Sequence, residues 1–239
     1  MKVFFHTLGC KVNQYETQEM REQLNKNGYQ VTEDEDDADI FVINSCTVTS
    51  ESDRKTRQCV RHYKKKHPES TVVLTGCMPQ SFPEMAVKLT EADIVLGNKN
   101  NKLLVSSLNE YFSASCRVLH MEQHESGEPL ISSGITSFEE RTRATLKIED
   151  GCDRFCSYCI IPKARGRIRW KPIDDIKREV EALANNGYRE IVLVGINLSA
   201  YGKGSDLDLA DAISVVAENE KIPQPGSLIR GWVWRKKRK

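Results

Sequence analysis

The sequence predicts an α/β fold: an N-terminal domain built on a parallel sheet, followed by the first βα units of a second α/β unit. Three observations carry this. Over the first hundred of the 239 residues, short apolar runs alternate with amphipathic helical stretches. A second round of the same alternation begins at Ala144. The composition, 39% hydrophobic and 29% charged, is that of a globular chain with a real core. Strands separated by helices need crossover connections, and these give parallel pairing.

The elements follow in order. Residues 3–8 read as a buried strand. Asn13 is the expected N-cap of the first helix, with Glu16 completing a capping box. That helix runs to Lys26 and stops near Gly28. Residues 40–43 form a second apolar run. A basic helix spans 52–66, with Pro68 just beyond it. Residues 72–74 and 93–96 are strands, and 83–89 and 101–112 are helices. The polar stretch 117–143 reads as a connector holding at most one strand. Residues 144–148 are a strand, followed by a cysteine-rich loop. In the helix 172–186, Ile173, Ile176, Val180, Leu183 and Ala184 share one face, and Gly187 ends it. Residues 191–194 are a strand and 209–217 a helix. Beyond Pro223 the pattern stops. The expected division is 1–116, an α/β domain; 117–143, a connector; and 144–239, an incomplete second domain.

No apolar run approaches the roughly 18 residues that a membrane span needs. The start, Met1 to His6, is too short in apolar residues for a secretion signal. A cytoplasmic protein is expected. The net charge of +1 is uninformative about partners, since a basic tail (six basic residues among 230–239) offsets acidic segments elsewhere.

Eight cysteines are the unusual feature. In a reducing compartment they point to metal or redox chemistry rather than a disulfide framework. Three of them end apolar strands in the same way: Thr7-Leu8-Gly9-Cys10, Ile43-Asn44-Ser45-Cys46 and Leu74-Thr75-Gly76-Cys77. Parallel strands would bring these thiols to one carboxyl edge, where open α/β sheets bind ligands. One metal or cluster could be held there; the plainer reading is three separate buried thiols. A second set, Cys152, Cys156 and Cys159, lies in one C-x3-C-x2-C loop. Structural zinc takes four protein ligands. Only Asp150 and Asp153 stand near as a fourth, so a three-thiolate iron–sulfur cluster with one open iron fits better. Cys59 and Cys116 read as ordinary thiols, and the five histidines show no metal-binding spacing. Glu149 and Asp150 either tune the loop or are solvated.

The C-x3-C-x2-C loop after a strand, with Tyr158 inside it, resembles the radical S-adenosylmethionine (SAM) superfamily. Together with the N-terminal trio it resembles the radical SAM methylthiotransferase family. The start, His6-Thr7-Leu8-Gly9-Cys10-Lys11-Val12-Asn13-Gln14-Tyr15-Glu16-Thr17, is similar to the branch acting on N6-threonylcarbamoyladenosine in tRNA. So are Asn44-Ser45-Cys46-Thr47-Val48-Thr49, Thr75-Gly76-Cys77, Arg141-Thr142-Arg143-Ala144, and the run from Lys147 through Pro162. Sister branches, acting on isopentenyladenosine in tRNA or on a ribosomal-protein aspartate, fit the first cysteine's context less well.

The resemblance, which covers residues 1 to about 217, implies a TIM-like partial barrel for the second domain. It implies that Cys152, Cys156 and Cys159 hold a SAM-cleaving 4Fe-4S cluster, and that Cys10, Cys46 and Cys77 hold a second 4Fe-4S cluster carrying the sulfur to be inserted. A 5′-deoxyadenosyl radical would then activate C2 of the adenosine at position 37, giving its 2-methylthio derivative. Tyr158, Gly195 and Asn197 would help seat SAM. The implied partners are the tRNA anticodon loop, a reductase as electron donor and a sulfur donor, with no membrane. Candidate phosphate contacts are Arg54, Lys55, Arg57, Arg61 and Lys64 to Lys66, for which a solvated helix face is the commoner meaning. Arg165, Arg167 and Arg169, just after the cysteine loop, have the better claim.

The sequence departs from the family at Lys163, where an aromatic is usual, and at Asn197, where a histidine is expected. The 80 residues after Cys159 are too few for the family's barrel at about 31 residues per unit. Residues 226–228 resemble a family strand that 229–235 do not continue, and the family's C-terminal RNA-binding β domain is expected to be missing. The expectation is therefore a tRNA methylthiotransferase, with a truncated, noncatalytic iron–sulfur cluster-binding fragment as the alternative. A zinc-binding or thiol-redox protein is a third reading.

Overall fold

A computed structural model describes residues 1–138 and 142–222. Arg141, the 226–228 segment and the basic tail 230–239 lie outside the described residues.

The first part alternates strand and helix as expected. Its elements are β1 (Lys2–Thr7), α1 (Lys11–Lys26), β2 (Gln30–Thr32), β3 (Ile40–Ser45), α2 (Ser50–Lys66), β4 (Thr71–Gly76), α3 (Cys77–Ser81), α4 (Pro83–Lys88), β5 (Ile94–Leu96), α5 (Leu104–Ala114) and β6 (Val118–His120). The six strands form one parallel sheet in the order β2-β1-β3-β4-β5-β6. All six residues of β3 and of β4 are buried, as expected for central strands covered on both faces. Alternation along β3 splits the core in two. Val42 joins Val3, Phe5, Met20, Leu24, Leu104 and Leu108 on one face. Phe41 and Ile43 join Val60, Tyr63, Leu74 and Met78 on the other.

The second part comprises β7 (Ala144–Lys147), β8 (Glu149–Asp150), α6 (Ile161–Arg165), β9 (Arg169–Trp170), α7 (Ile173–Asn185), β10 (Ile191–Val194) and α8 (Leu209–Ala217). β7 and β10 pair in parallel, and β8 and β9 antiparallel. The expected apolar stripe of α7 is its buried face: Ile176, Val180, Leu183 and Ala184 pack with Ala144, Leu146 and Ile148. Asp208 caps α8 through a capping box with Asp211.

Four details differ from the sequence reading. The N-cap of α1 is Cys10, not Asn13. Asn13 lies inside the first turn, where its buried amide donates to Ser45 O at 2.8 Å instead of capping. Glu16 therefore closes no capping box; it is drawn inward by two cations. Two turns of 3-10 helix, Asn98–Leu103, precede α5 and shorten that helix at its start. The three-residue β2 and the two-residue β8 and β9 escape periodicity because no alternation is measurable over two or three residues. β6 is the one strand that the connector reading allowed, and it closes the edge of the first sheet. Among the described residues, no helix is long and apolar enough to cross a membrane.

Candidate functional site

β1, β3 and β4 are immediate neighbours, so their carboxyl ends bring the strand-end cysteines to one edge. Cys10 caps α1, Cys46 follows β3, and Cys77 opens α3. The small residues before them are required by the packing. Gly9 has φ +108°, and a Cβ there would stand 2.7 Å from Cys46 Cβ. Gly76 has φ +99°, and a Cβ there would stand 2.5 Å from Ser45 O. The Ser45 hydroxyl donates to Thr75 O at 2.6 Å and accepts from the Met78 N–H at 3.1 Å. Strand ends and cysteine turns are thereby knitted together. Cys10 is exposed, while Cys46 and Cys77 are buried. Burial pushes the Cys77 thiol up to about 12, against the opposing pull of the Arg165 cation.

The second trio sits on a loop entered through β8. Gly151, at φ +79°, approaches the Arg167 carbonyl so closely that a Cβ would lie 2.1 Å from that oxygen. The Cys152 N–H donates to Gly166 O at 3.2 Å, and the Cys159 N–H donates to Cys156 O at 2.9 Å. Phe155 is one of two non-glycine residues at positive φ among the described residues (+45°), and the Arg167 guanidinium lies 5.0 Å from its ring centroid. Tyr158 is 90% exposed. α6 starts two residues after Cys159 and packs against α3, which Cys77 opens. The two trios therefore flank one helix–helix contact.

Among the described residues, no three His, Cys, Asp or Glu side chains converge closely enough to hold a single metal ion. The donor set fits a larger inorganic group better. Each site offers three free thiols. At the strand ends, glycines leave backbone room that a side chain would fill.

Beneath both sites lies a buried ion network that the sequence reading missed. Arg165 Nη1 donates to Glu16 Oε1 at 2.8 Å and to Asp150 Oδ1 at 3.1 Å. Arg165 Nη2 donates to Asn13 Oδ1 at 2.9 Å and to Glu16 Oε2 at 3.0 Å. Lys147 Nζ donates to Glu16 Oε1 at 2.7 Å and to Asp150 Oδ2 at 3.0 Å. Burial opposes ionisation of both acids, but the cations win: Asp150 is held far below the usual carboxylate range by Lys147 and Arg165, and Glu16 is lowered by Arg165 and Lys147. Glu149 behaves differently. Burial pushes its carboxyl up to about 7, and Asp150 adds to the rise, although the Asn197 N–H donates to Oε2 at 2.6 Å. Glu149 Oε1 is buried without a partner. A Cβ on Gly195 would stand 2.6 Å from Glu149 Oε2 and 2.9 Å from Glu149 Cβ, so a side chain there would displace Glu149.

These contacts correct several expectations. Glu149 and Asp150 are buried, not solvated. Arg165 is 1% exposed and cannot reach a phosphate. Arg169 is paired with Glu128 and also donates to Arg165 O at 2.8 Å. Of that group only Arg167 is exposed. On α2, Arg54 pairs with Glu51, Arg61 with Glu91, Lys64 with Asp93 and Lys66 with Glu35, so much of its basic character is neutralised by neighbours. Cys59 has a local role: its thiol meets His6 Nε2 at 3.5 Å, and His6 Nδ1 meets the Tyr63 hydroxyl at 2.9 Å. One available signal for the network was Lys147, a charge inside an otherwise apolar strand. Another was the one-turn spacing of Cys10, Asn13 and Glu16 along α1.

Comparison with known proteins agrees with this geometry. Residues 2–97 match the family model described as uncharacterized protein family UPF0004, and residues 146–222 match the radical SAM superfamily. A protein of Aquifex aeolicus (strain VF5) named threonylcarbamoyladenosine tRNA methylthiotransferase MtaB is 38% identical over 222 residues, covering 93% of this chain and 54% of that protein. The protein of the same name from Thermotoga maritima is 40% identical, covering 92% and 49%. A tRNA-2-methylthio-N(6)-dimethylallyladenosine synthase from Sulfurihydrogenibium sp. (strain YO3AOP1) is 34% identical, covering 93% and 52%. In fold, the chain is similar to the radical S-adenosylmethionine methyltransferase TsrM from Kitasatospora setae, with a TM-score of 0.55 at 16% identity over 90% of this chain and 50% of that one. The chain spans about half the length of the curated relatives it matches. With the two family models matched in this order and methylthiotransferases similar over nine-tenths of the chain, the chain resembles the radical SAM methylthiotransferases.

Proposed function

We propose that the chain is the cluster- and SAM-binding part of a tRNA methylthiotransferase that converts N6-threonylcarbamoyladenosine at position 37 to its 2-methylthio derivative. The observation that carries this reading is the pairing of two three-cysteine sets across the α3–α6 contact, one on adjacent parallel strand ends and one on a single loop. The choice of substrate rests on the N-terminal motif and on relatives named for that nucleoside.

Cys152, Cys156 and Cys159 would hold one 4Fe-4S cluster, leaving an iron open to SAM, and Cys10, Cys46 and Cys77 would hold the other. When bound, these groups supply the one-electron chemistry and the sulfur that no side chain can provide. The protein's own part is positional. Gly9 and Gly76 keep the strand ends clear. Gly195 and Asn197 would present a backbone turn to SAM, steadied by Glu149, and Tyr158 would offer its exposed ring. Arg167 over Phe155 offers an exposed cation beside the loop for an RNA partner. An electron donor and a sulfur donor are required partners.

The reading is tested by iron and sulfide analysis of protein purified and reconstituted without oxygen, with tRNA nucleosides read by mass spectrometry. The intact chain should hold two clusters. Cys10→Ala/Cys46→Ala/Cys77→Ala and Cys152→Ala/Cys156→Ala/Cys159→Ala should each lose one. Bound zinc in place of iron would overturn the reading. A noncatalytic cluster-binding part is favoured by one observation, the half-length match to the curated relatives. Two clusters without 2-methylthio product, on a tRNA that a full-length relative modifies, would select it.

A further inference from the structure

We propose that Arg165 is the positioning residue that holds the two cysteine sites in one fixed relation. This rests on the two-cluster reading above. Its guanidinium is the common partner of groups attached to both sites. On one side, Arg165 ends α6, six residues after Cys159, and the carbonyl of the next residue, Gly166, accepts the Cys152 N–H. The same guanidinium meets Asp150, two residues before Cys152. On the other side it donates to Asn13 Oδ1 at 2.9 Å. That oxygen also faces the Cys10 thiol at 3.6 Å, and the other arm of the amide holds Ser45 O, the carbonyl just before Cys46. Cys77 lies within the electrostatic reach of the same cation. Cys10, Cys46 and the Cys152–Cys159 loop are therefore tied to Arg165 through one or two intervening groups or along a short loop, and Cys77 lies in the field of its charge.

A stabilising role alone does not account for this arrangement. Buried ion networks are often no more stable than apolar packing of the same volume, and their best-attested use is to fix a register. The five hydrogen bonds to Glu16 and Asn13 on α1 and to Asp150 on β8 use both arms of a planar fork, a geometry that lysine cannot reproduce. A role in charge alone would be restored by lysine; a role in geometry would not.

The test uses reconstituted, reduced protein and reads the magnetic interaction between the two clusters by electron paramagnetic resonance, with iron content and circular dichroism alongside. Wild type should show one well-defined interaction. Arg165→Lys should keep the iron of both sites but lose or broaden that interaction. Because lysine could also upset the buried acids, Arg165→Met/Glu16→Met serves as a second variant with fewer uncompensated charges, and it should behave alike. An unchanged interaction in both variants overturns the proposal. So does loss of iron from one site alone, since Arg165 would then belong to that site only. Absence of a second cluster in wild type overturns the two-cluster reading itself, and the proposal with it; failure of the positioning role appears only in the variants.

Discussion

At the scale of single residues, Glu149 shows how position overrides type. It stands one residue before Asp150, yet burial raises its carboxyl to about 7 while Asp150, facing Lys147 and Arg165, is held ionised. The folded protein therefore binds the Glu149 proton more tightly than the unfolded chain, whose carboxyl titrates near 4.5. The stability this contributes is fully present below about pH 4.5 and is lost as pH rises through about 7. Glu149→Gln, a neutral isostere, removes that dependence. Urea unfolding at pH 5 and pH 8 should show wild type losing about 1–3 kcal/mol relative to the variant between the two. Equal pH dependence in the two proteins would show that this carboxyl is not displaced. The acidic residues were visible in the sequence, but their opposite environments were not, because burial is set by what packs against them.

At the scale of elements, α1 does more than cover a sheet. Its apolar residues Met20 and Leu24 face the first core, while Tyr15 belongs to the core of the second part. The Tyr15 hydroxyl donates to Glu179 Oε1 at 2.6 Å and accepts from Lys171 Nζ at 2.9 Å. Glu19 accepts from the Ser132 hydroxyl at 2.6 Å, and Glu22 accepts from the Thr136 and Ser137 N–H groups at 2.7 and 3.0 Å. These carboxylates pin the polar stretch that reads in sequence as a plain connector. Tyr15→Phe keeps the ring and deletes only the hydroxyl. It should cost about 1.5–3 kcal/mol, the range for a hydrogen bond to a charged group, by denaturant titration. A loss below about 0.5 kcal/mol would mean that the Lys171–Glu179 pair closes up without it. The helix itself was legible from Gly28 at its end and from the polar residues at its start, although Cys10 rather than Asn13 caps it. Its second, polar contact face was not, since a row of Glu and Gln on a helix ordinarily means solvent.

At the scale of the whole molecule, the two parts share α1, the Glu16–Arg165–Asp150–Lys147 network and the α3–α6 contact. Shared buried groups make separate opening costly, because parting them would leave unpaired charges. The two parts should unfold together. Labelling of the buried Cys77 thiol reports on the first part and hydrogen exchange in α7 on the second; their urea midpoints should coincide. Distinct midpoints would show that the network does not couple them. Both cysteine sets were legible in the sequence, since each is a local pattern of strand, small residue and thiol, or of spacing within one loop. That the sets flank one contact was not legible, because it depends on where α6 docks.

The sequence by itself determined the alternation of strands and helices, the parallel sheet it requires, the six cysteines and the family they resemble. Each of these is written in local periodicity or in short spacings, which survive without knowledge of the rest of the chain. Only the tertiary structure decided which charges are buried. It drew Asn13, Glu16, Lys147, Asp150 and Arg165 together across as many as 152 residues of chain, buried Arg165 and paired Arg169 with Glu128. The physical reason is that desolvation and charge pairing depend on the whole environment of a group, and that environment is assembled from segments distant in sequence.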